Sequence, residues 1–342
     1  MKPKNPKVTV LMPVYNAEKY LREAIESILS QTFKNFEFLI INDGSTDKSK
    51  DVILSYNDPR IIYSENSKNL GIAKTLNKGM NLARGNYIAR MDGDDISHPD
   101  RLQEQIEFMD DNRHIGVCGT WLQTINNNKE EIWKSPIAHE EIRSLMLFHD
   151  AIYHPTVVIR RDIIKKHNLR YSESIRYAED YEFWTRTTKY TRLSNLQEVL
   201  LYHRVYHNKH IDAYLKIQEK SADRVRLSQL YKLGIRPDQH EFSIHMAISC
   251  WRFKPEKKFV TATKKWLEKL LLSNCRANQY HHDIFAKVIA DKWFVTCINA
   301  AQLGLWTWTT CWKSSLSKYF SHPLSQKIQL ALLCTIKWKP QK

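Results

Sequence analysis

Three carboxylates fall within four positions at Asp92-Gly93-Asp94-Asp95, directly after the apolar run Tyr87-Ile88-Ala89-Arg90-Met91. Like charges this close repel, so the cluster is costly unless something cationic holds it. A hard divalent cation fits, because Mg2+ takes oxygen ligands, usually one or two carboxylates plus substrate phosphates. Gly93 would let backbone come close to a ligand. The plainer reading is an acidic turn with Asx-type hydrogen bonds. Two further clusters are weaker alone. Asn42-Asp43-Gly44-Ser45-Thr46-Asp47 reads as a turn and helix cap that can sit beside a functional Asp43. Pro13-Val14-Tyr15-Asn16 reads as a loop whose Tyr15 either stacks on a base or packs. Downstream, Ala178-Glu179-Asp180 opens a helix, where the helix dipole favours acids.

These residues must be held by elements, and the hydrophobic pattern says which. Val8 to Met12, Phe36 to Asn42, Ile61 to Tyr63 and Tyr87 to Met91 read as strands. Between them, Glu18–Leu29, Asp47–Tyr56 and Ile72–Ala83 carry apolar residues at helical spacing. Phe38-Leu39-Ile40-Ile41 is apolar on both faces, as a strand inside a parallel sheet is. Strand–helix alternation with short connections predicts an α/β domain with a mostly parallel sheet flanked by helices. Ligands bind beyond the carboxyl ends of such strands, and three polar clusters end three of the four predicted strands. From 115 to 206 the pattern is mixed: strands at 115–118 and 156–159, helices at 139–148 and 178–190, and an extended stretch at 199–206. After 210 it turns helical, with Ile211–Leu233 stopped by Gly234 and with stripes at Ile244, Ala247, Ile248 and Trp251 and at Phe285, Val288, Ile289 and Trp293.

As an ordered set, Val10 to Asn16, Ile41 to Asp47, Asn69-Leu70-Gly71 and Asp92 to Asp95 resemble family 2 glycosyltransferases of the GT-A fold, of the bacterial surface-polysaccharide type. The resemblance covers roughly residues 6–207. It implies that Pro13, Val14, Tyr15 and Asn16 line a nucleotide base and that Asp43 accepts a hydrogen bond from uracil. It implies that Asp92 and Gly93 face the ribose side, that Asp94, with Asp92, holds Mn2+ or Mg2+, and that Asn69 leads into a helix facing the nucleotide sugar. Lys74 and Asn77 on that helix become candidate contacts. Ala178 to Trp184 resembles the family's Glu-Asp motif, which makes Asp180, beside Glu179, the general base. His154-Pro155-Thr156 resembles a segment that shapes the acceptor side; as a plain strand entry it would do none of this. His203 to His207 resembles a segment in which a histidine touches metal or diphosphate, leaving His203 and His207 both candidates, with His207 the metal-ligand candidate. The processive members' Gln-x-x-Arg-Trp motif is absent, which implies one sugar per encounter.

The implied activity is a metal-dependent, inverting, non-processive transfer of one hexosyl or N-acetylhexosaminyl unit. The donor would be a nucleotide sugar, UDP-linked, and the acceptor a glycan or lipid-linked glycan in surface polysaccharide synthesis. Two alternatives stand beside it. A nucleotidyltransferase also uses a sheet, a metal and carboxylates, but would carry a Gly-rich basic loop after the first strand. A catalytically silent nucleotide-sugar-binding module would have lost a motif carboxylate.

Composition bounds the rest. The chain has 342 residues, 42% apolar and 26% charged, the balance of an ordered globular protein. There is no run of 18 apolar residues and no signal-peptide core, so a cytoplasmic protein is expected. Six cysteines without C-x-x-C spacing read as buried thiols. The net charge of +15 is uneven: residues 211–342 hold 22 Lys+Arg against 9 Asp+Glu, and seven of the ten tryptophans. We therefore divide the chain into a GT-A-like domain at 1–210 and a basic, Trp-rich helical domain at 211–342. Such a half suits an anionic membrane surface on the inner face of the cell membrane, or is a helical domain with a solvated basic face. No nucleic-acid signature is present, so nucleic acid is not expected as a partner.

Overall fold

The structure, a computed structural model, describes residues 5–125, 130–205 and 211–338. In chain order it places β1 (Val8–Val14), α1 (Leu21–Leu29), β2 (Phe36–Asn42), α2 (Ser49–Leu54), β3 (Ile61–Glu65), α3 (Ile72–Leu82), β4 (Tyr87–Arg90), β5 (Ile96–Ser97) and α4 (Arg101–Asp111). There follow β6 (Ile115–Ile125), β7 (Ile132–Trp133), α5 (His139–Leu145), β8 (Val158–Arg160), α6 (Arg161–Lys166), α7 (Glu179–Thr187) and β9 (Arg192–Arg204). Helices complete the chain: α8 (Ile211–Lys232), α9 (Gln239–Ser249), α10 (Lys257–Ala277), α11 (His282–Asn299), α12 (Leu305–Trp312) and α13 (Leu324–Thr335).

The strands form one sheet in the order β3-β2-β1-β4-β8-β6-β9-β5, with β7 beside β6. The half β3-β2-β1-β4 is parallel throughout. Every residue of β1 and β2 is buried, which explains their apolar runs at 10–14 and 38–41. Leu21, Ala24, Ile25 and Ile28 of α1 and Leu102, Ile106 and Met109 of α4 share one core with Val10, Met12, Phe38 and Ile40. Apart from Ala24, each such side chain stabilises the fold by roughly 1.5–3 kcal/mol on burial. Beyond β4 the sheet is mixed rather than parallel. β8 runs antiparallel to both β4 and β6, whereas β6 and β9 are parallel. The helix-per-strand rhythm that predicts parallel pairing lapses there, because β8 is entered through a 3-10 turn at His154–Thr156.

By its internal contacts the chain divides into two compact units. One comprises the described residues up to Ile142 with Ala151–Ala222; the other comprises Arg143–Asp150 with the described chain from Asp223 onward. The second unit is helical, with Ile244, Ile248, Trp266, Leu267, Phe285, Ile289 and Trp293 in its core beside Leu147 and Phe148. One expected stripe breaks. Helix α9 ends at Ser249, and Trp251 is exposed with φ +57° instead of continuing the apolar face. The bond from Arg252 N to Ala247 O at 2.8 Å closes a Schellman-type turn there. All six cysteines are free thiols; four are buried, but Cys275 is exposed, contrary to its expected burial.

Candidate active site

The carboxyl ends of β1 and β2 carry loops that are tied to each other. Asn16 N donates to Ser45 Oγ at 3.0 Å, and Asn16 Oδ1 accepts from Thr46 N at 2.8 Å. Ala17 N donates to Ser49 Oγ, Glu18 N to Asp47 Oδ2, and Lys48 N to Glu18 Oε2. The side chain of Asn16 is thus occupied in joining loops. Gly44, at φ +67°, is required here: a Cβ would lie 2.5 Å from the Lys68 carbonyl carbon. That close approach brings Asn69-Leu70-Gly71 against the β2 tip.

Asp43 is buried and organises this approach. Its Oδ1 accepts from Asn66 Nδ2 at 2.8 Å and Leu70 N at 2.9 Å, and its Oδ2 from Gly71 N at 2.9 Å. An ionised carboxylate offers about four acceptor sites, so one remains for a ligand donor. The outcome is a cleft of about 630 Å³. Pro13, Val14, Tyr15, Asp43 and Asn69 line it, as do the first turn of α3, Lys74, Arg176, Tyr177 and Glu179. No side chain caps the N-terminus of α3. Its unpaired amides therefore add positive potential to the cleft wall. Asn77 departs from its expected place toward the sugar. Its side chain clasps the backbone of Tyr171 from both sides, at 2.9 and 2.8 Å, and fixes the segment that leads to Tyr177. Lys74 does face the cleft and pairs loosely with Glu173 at 3.6 Å.

The acidic tip follows β4. Ligand oxygens of Asp92, Asp94 and Asp95 all lie within 4.8 Å of one another. Much of the countercharge comes from the chain itself. Arg90 pairs with Asp92. His203 Nδ1 lies 3.1 Å from Asp95 Oδ1, and Arg204 N donates to the same oxygen at 3.0 Å. The Arg204 guanidinium donates to the Asp94 carbonyl and to Glu23 Oε2, both at 2.9 Å, and stacks over Tyr20. Burial works against the charge on His203, but Asp95 outweighs it and the histidine's pKa is raised. Asp95 is thus tied to the end of β9, while Asp92, paired with Arg90, and Asp94 stand beside it with ligand oxygens close enough to share one ion. Two hard carboxylates, with further places left to phosphate oxygens, fit a divalent cation. Gly93 is buried, and a Cβ there would point at Leu21, Val14 and Ala17 at ordinary contact distances of 3.4–3.6 Å. Its missing side chain thus faces α1 rather than the cleft. His207 lies outside the described residues.

The α7 N-terminus closes the site. Glu179 is buried in the cleft wall, and its Oε2 has no hydrogen-bond partner among the described residues. Burial, then the neighbouring Asp180 charge, raises its pKa to about 7. Burial also raises Asp180, opposed by a hydrogen bond from Tyr181 N and by Arg90. Behind them His154 Nε2 meets the Tyr171 hydroxyl at 2.9 Å, while its Nδ1 stays 3.9 Å from Asp180. Burial and then Arg90 depress its pKa well below the usual value, so it is a neutral ring here. Three residues were missed by reading the sequence. Arg90 lies among Asp92, Glu179 and Asp180 electrostatically. Arg176 lines the cleft. Tyr214 of α8 packs its ring against Tyr177, 4.3 Å between centroids, and its pKa is raised to about 12 by burial and then by Asp180 and Glu179. For Arg90, the signal was a lone cation in an otherwise apolar strand.

Comparison with known proteins matches residues 9–211 to the model of glycosyl transferase family 2. The chain belongs to that family. An uncharacterized glycosyltransferase of Haemophilus influenzae is 34% identical over 67% of this chain and 76% of its own length. The O-antigen biosynthesis glycosyltransferase WbnJ of Escherichia coli is 34% identical over 59% of this chain and 80% of its own. Among solved structures, S. aureus TarS 1–349 in complex with UDP superposes with a TM-score of 0.56 at 18% identity, covering 95% of this chain and 89% of that one. The mannosyltransferase PcManGT from Pyrobaculum calidifontis, in complex with GDP-Man and Mn2+, gives 0.53 at 15% identity, covering 97% and 88%. The fold is thus that of GT-A-like glycosyltransferases, and the chain is a glycosyltransferase, which sets the nucleotidyltransferase alternative aside. Among the described residues no helix is long and apolar enough to cross a membrane.

Proposed function

We propose that this glycosyltransferase moves one sugar, with inversion, from a UDP-linked donor to a glycan or lipid-linked glycan of a surface polysaccharide, at the cytoplasmic face of an anionic membrane. One observation carries the donor reading: the single cleft that joins the tips of β1 and β2, the uncapped α3 N-terminus and the Glu179 wall. Tyr15, nearly half exposed at the rim, offers a face on which a base can stack, and Asp43 keeps an acceptor for it. Lys74, Arg176 and the α3 amides supply positive potential for a diphosphate. The O-antigen biosynthesis role of WbnJ and the UDP held by TarS favour the acceptor and donor classes.

In this reading Asp94 and Asp92 would hold Mn2+ or Mg2+, which as a Lewis acid would neutralise charge on the leaving nucleoside diphosphate. Asp180 takes the proton of the acceptor hydroxyl as its oxygen attacks the anomeric carbon and the bond to the diphosphate oxygen breaks. Burial raises the Asp180 pKa, which makes its carboxylate a stronger base than an exposed one. The hydrogen bond from Tyr181 N holds the Asp180 carboxylate, and the Arg90 charge opposes the rise that burial gives its pKa. Asp180→Asn should abolish transfer while UDP-sugar binding, read by thermal shift, stays intact. Asp94→Ala should remove the extra stabilisation that Mn2+ gives with UDP. Full turnover by Asp180→Asn would strip that residue of its role, and an unchanged Mn2+ response in Asp94→Ala would move the ion elsewhere.

A further inference from the structure

The second unit leaves one apolar helix face uncovered. On α13 the buried side is Leu330 and Cys334, packed into the unit's core. On the other side Leu324, Ile328, Leu332 and Ile336 are 72, 50, 60 and 68% exposed. Four-residue steps advance roughly 40° each around a helix, so these side chains form one continuous stripe about 120° wide. A lone exposed leucine needs no explanation, but four large aliphatic residues in one stripe do.

The charge around the stripe says what covers it. From Lys313 to Lys342 the chain has six lysines and no aspartate or glutamate. Lys327 lies within α13 itself, with Lys313 and Lys318 before it and Lys337 just after it. A partner for this surface must accept aliphatic side chains and carry negative charge beside them. A bilayer with anionic headgroups does both. A helix of 12 residues is about 18 Å long, far short of the roughly 30 Å hydrocarbon core, so it lies in the interface rather than crossing.

We infer that α13 is a membrane-docking helix that beds Leu324, Ile328, Leu332 and Ile336 among acyl chains while the flanking lysines meet anionic headgroups. This deepens the membrane reading above by assigning it a surface, and it is tested apart from donor chemistry. The full chain is sedimented with mixed phosphatidylcholine–phosphatidylglycerol vesicles and with pure phosphatidylcholine vesicles, at low and high salt. Binding should favour the anionic vesicles and weaken with salt. The double variant Ile328→Glu, Leu332→Glu should bind roughly tenfold more weakly, with unchanged melting temperature and unchanged UDP-dependent thermal shift. If the double variant fails to fold, Leu324→Glu alone serves. Parent protein that ignores anionic vesicles, or variants that bind as the parent does, overturns the inference. So does a concentration-dependent dimer that the variants dissolve, because the stripe would then belong to a second copy. Loss of the UDP shift in the parent would sink the donor reading and leave the vesicle result standing.

Discussion

Glu179 has an acid's side chain in a place that disfavours its charge. Its pKa rises from 4.5 to about 7 through burial and the Asp180 charge. A raised carboxyl pKa means that the folded state binds the proton more tightly than the unfolded one. Stability from this group is therefore fully present below about pH 4.5 and is lost as pH rises through 7. Glu179→Gln cannot ionise, so it should melt higher than the parent at pH 8 and about equally at pH 5, with a difference on the order of 2 kcal/mol. Equal melting of the two proteins at both pH values would mean that the carboxyl is not held in that environment. The acidic clusters at 43 and 92–95 were visible in the sequence because each ends an apolar run. Their countercharges were not: Arg204 and His203 arrive from β9, more than 100 residues along the chain. Asn77 misled for the same reason, since its partner Tyr171 lies 94 residues away.

The elements that hold the site are those with the clearest periodicity. β1, β2, α1 and α3 follow the apolar spacing because they are buried on both faces or along one stripe. β5 has two residues and is strand only because β9 pairs with it, which no local pattern reveals. The turn at Gly44 carries the most backbone constraint of the cleft. Gly44→Ala combines a positive φ with a clash against the Lys68 backbone. It should destabilise the fold by about 1–3 kcal/mol and weaken UDP binding more than a surface Gly→Ala would. A variant with parental melting and binding would show that the β2 tip can relax without consequence.

The family match ends at residue 211, and the charge pattern breaks near 210, so the sequence invites a cut there. The internal contacts divide otherwise. Residues 143–150 pack with the helical unit: Arg226 Nε donates to Phe148 O at 2.6 Å, and His245 Nε2 meets Leu147 O at 3.0 Å. Lys292 stacks over Phe148 as well. A fragment ending at residue 222 would leave Leu147 and Phe148 without these partners. It should express poorly or bind hydrophobic dye, and Leu147→Ser with Phe148→Ser should relieve the dye binding. A soluble, dye-negative fragment would mean that the segment packs acceptably by itself. Eight residues inside an α/β half gave no such signal, because Leu-Met-Leu-Phe reads equally as the end of a helix belonging to that half.

The reciprocal ties between the β1 and β2 loops, from Asn16–Ser45 to Glu18–Lys48, are made entirely by the chain's own amides and side chains. The rim of the cleft is set during folding, so capture of a nucleotide demands no later ordering of those loops. Mixing experiments should then give a single exponential whose rate climbs linearly with nucleotide concentration, with no plateau from a slow rearrangement.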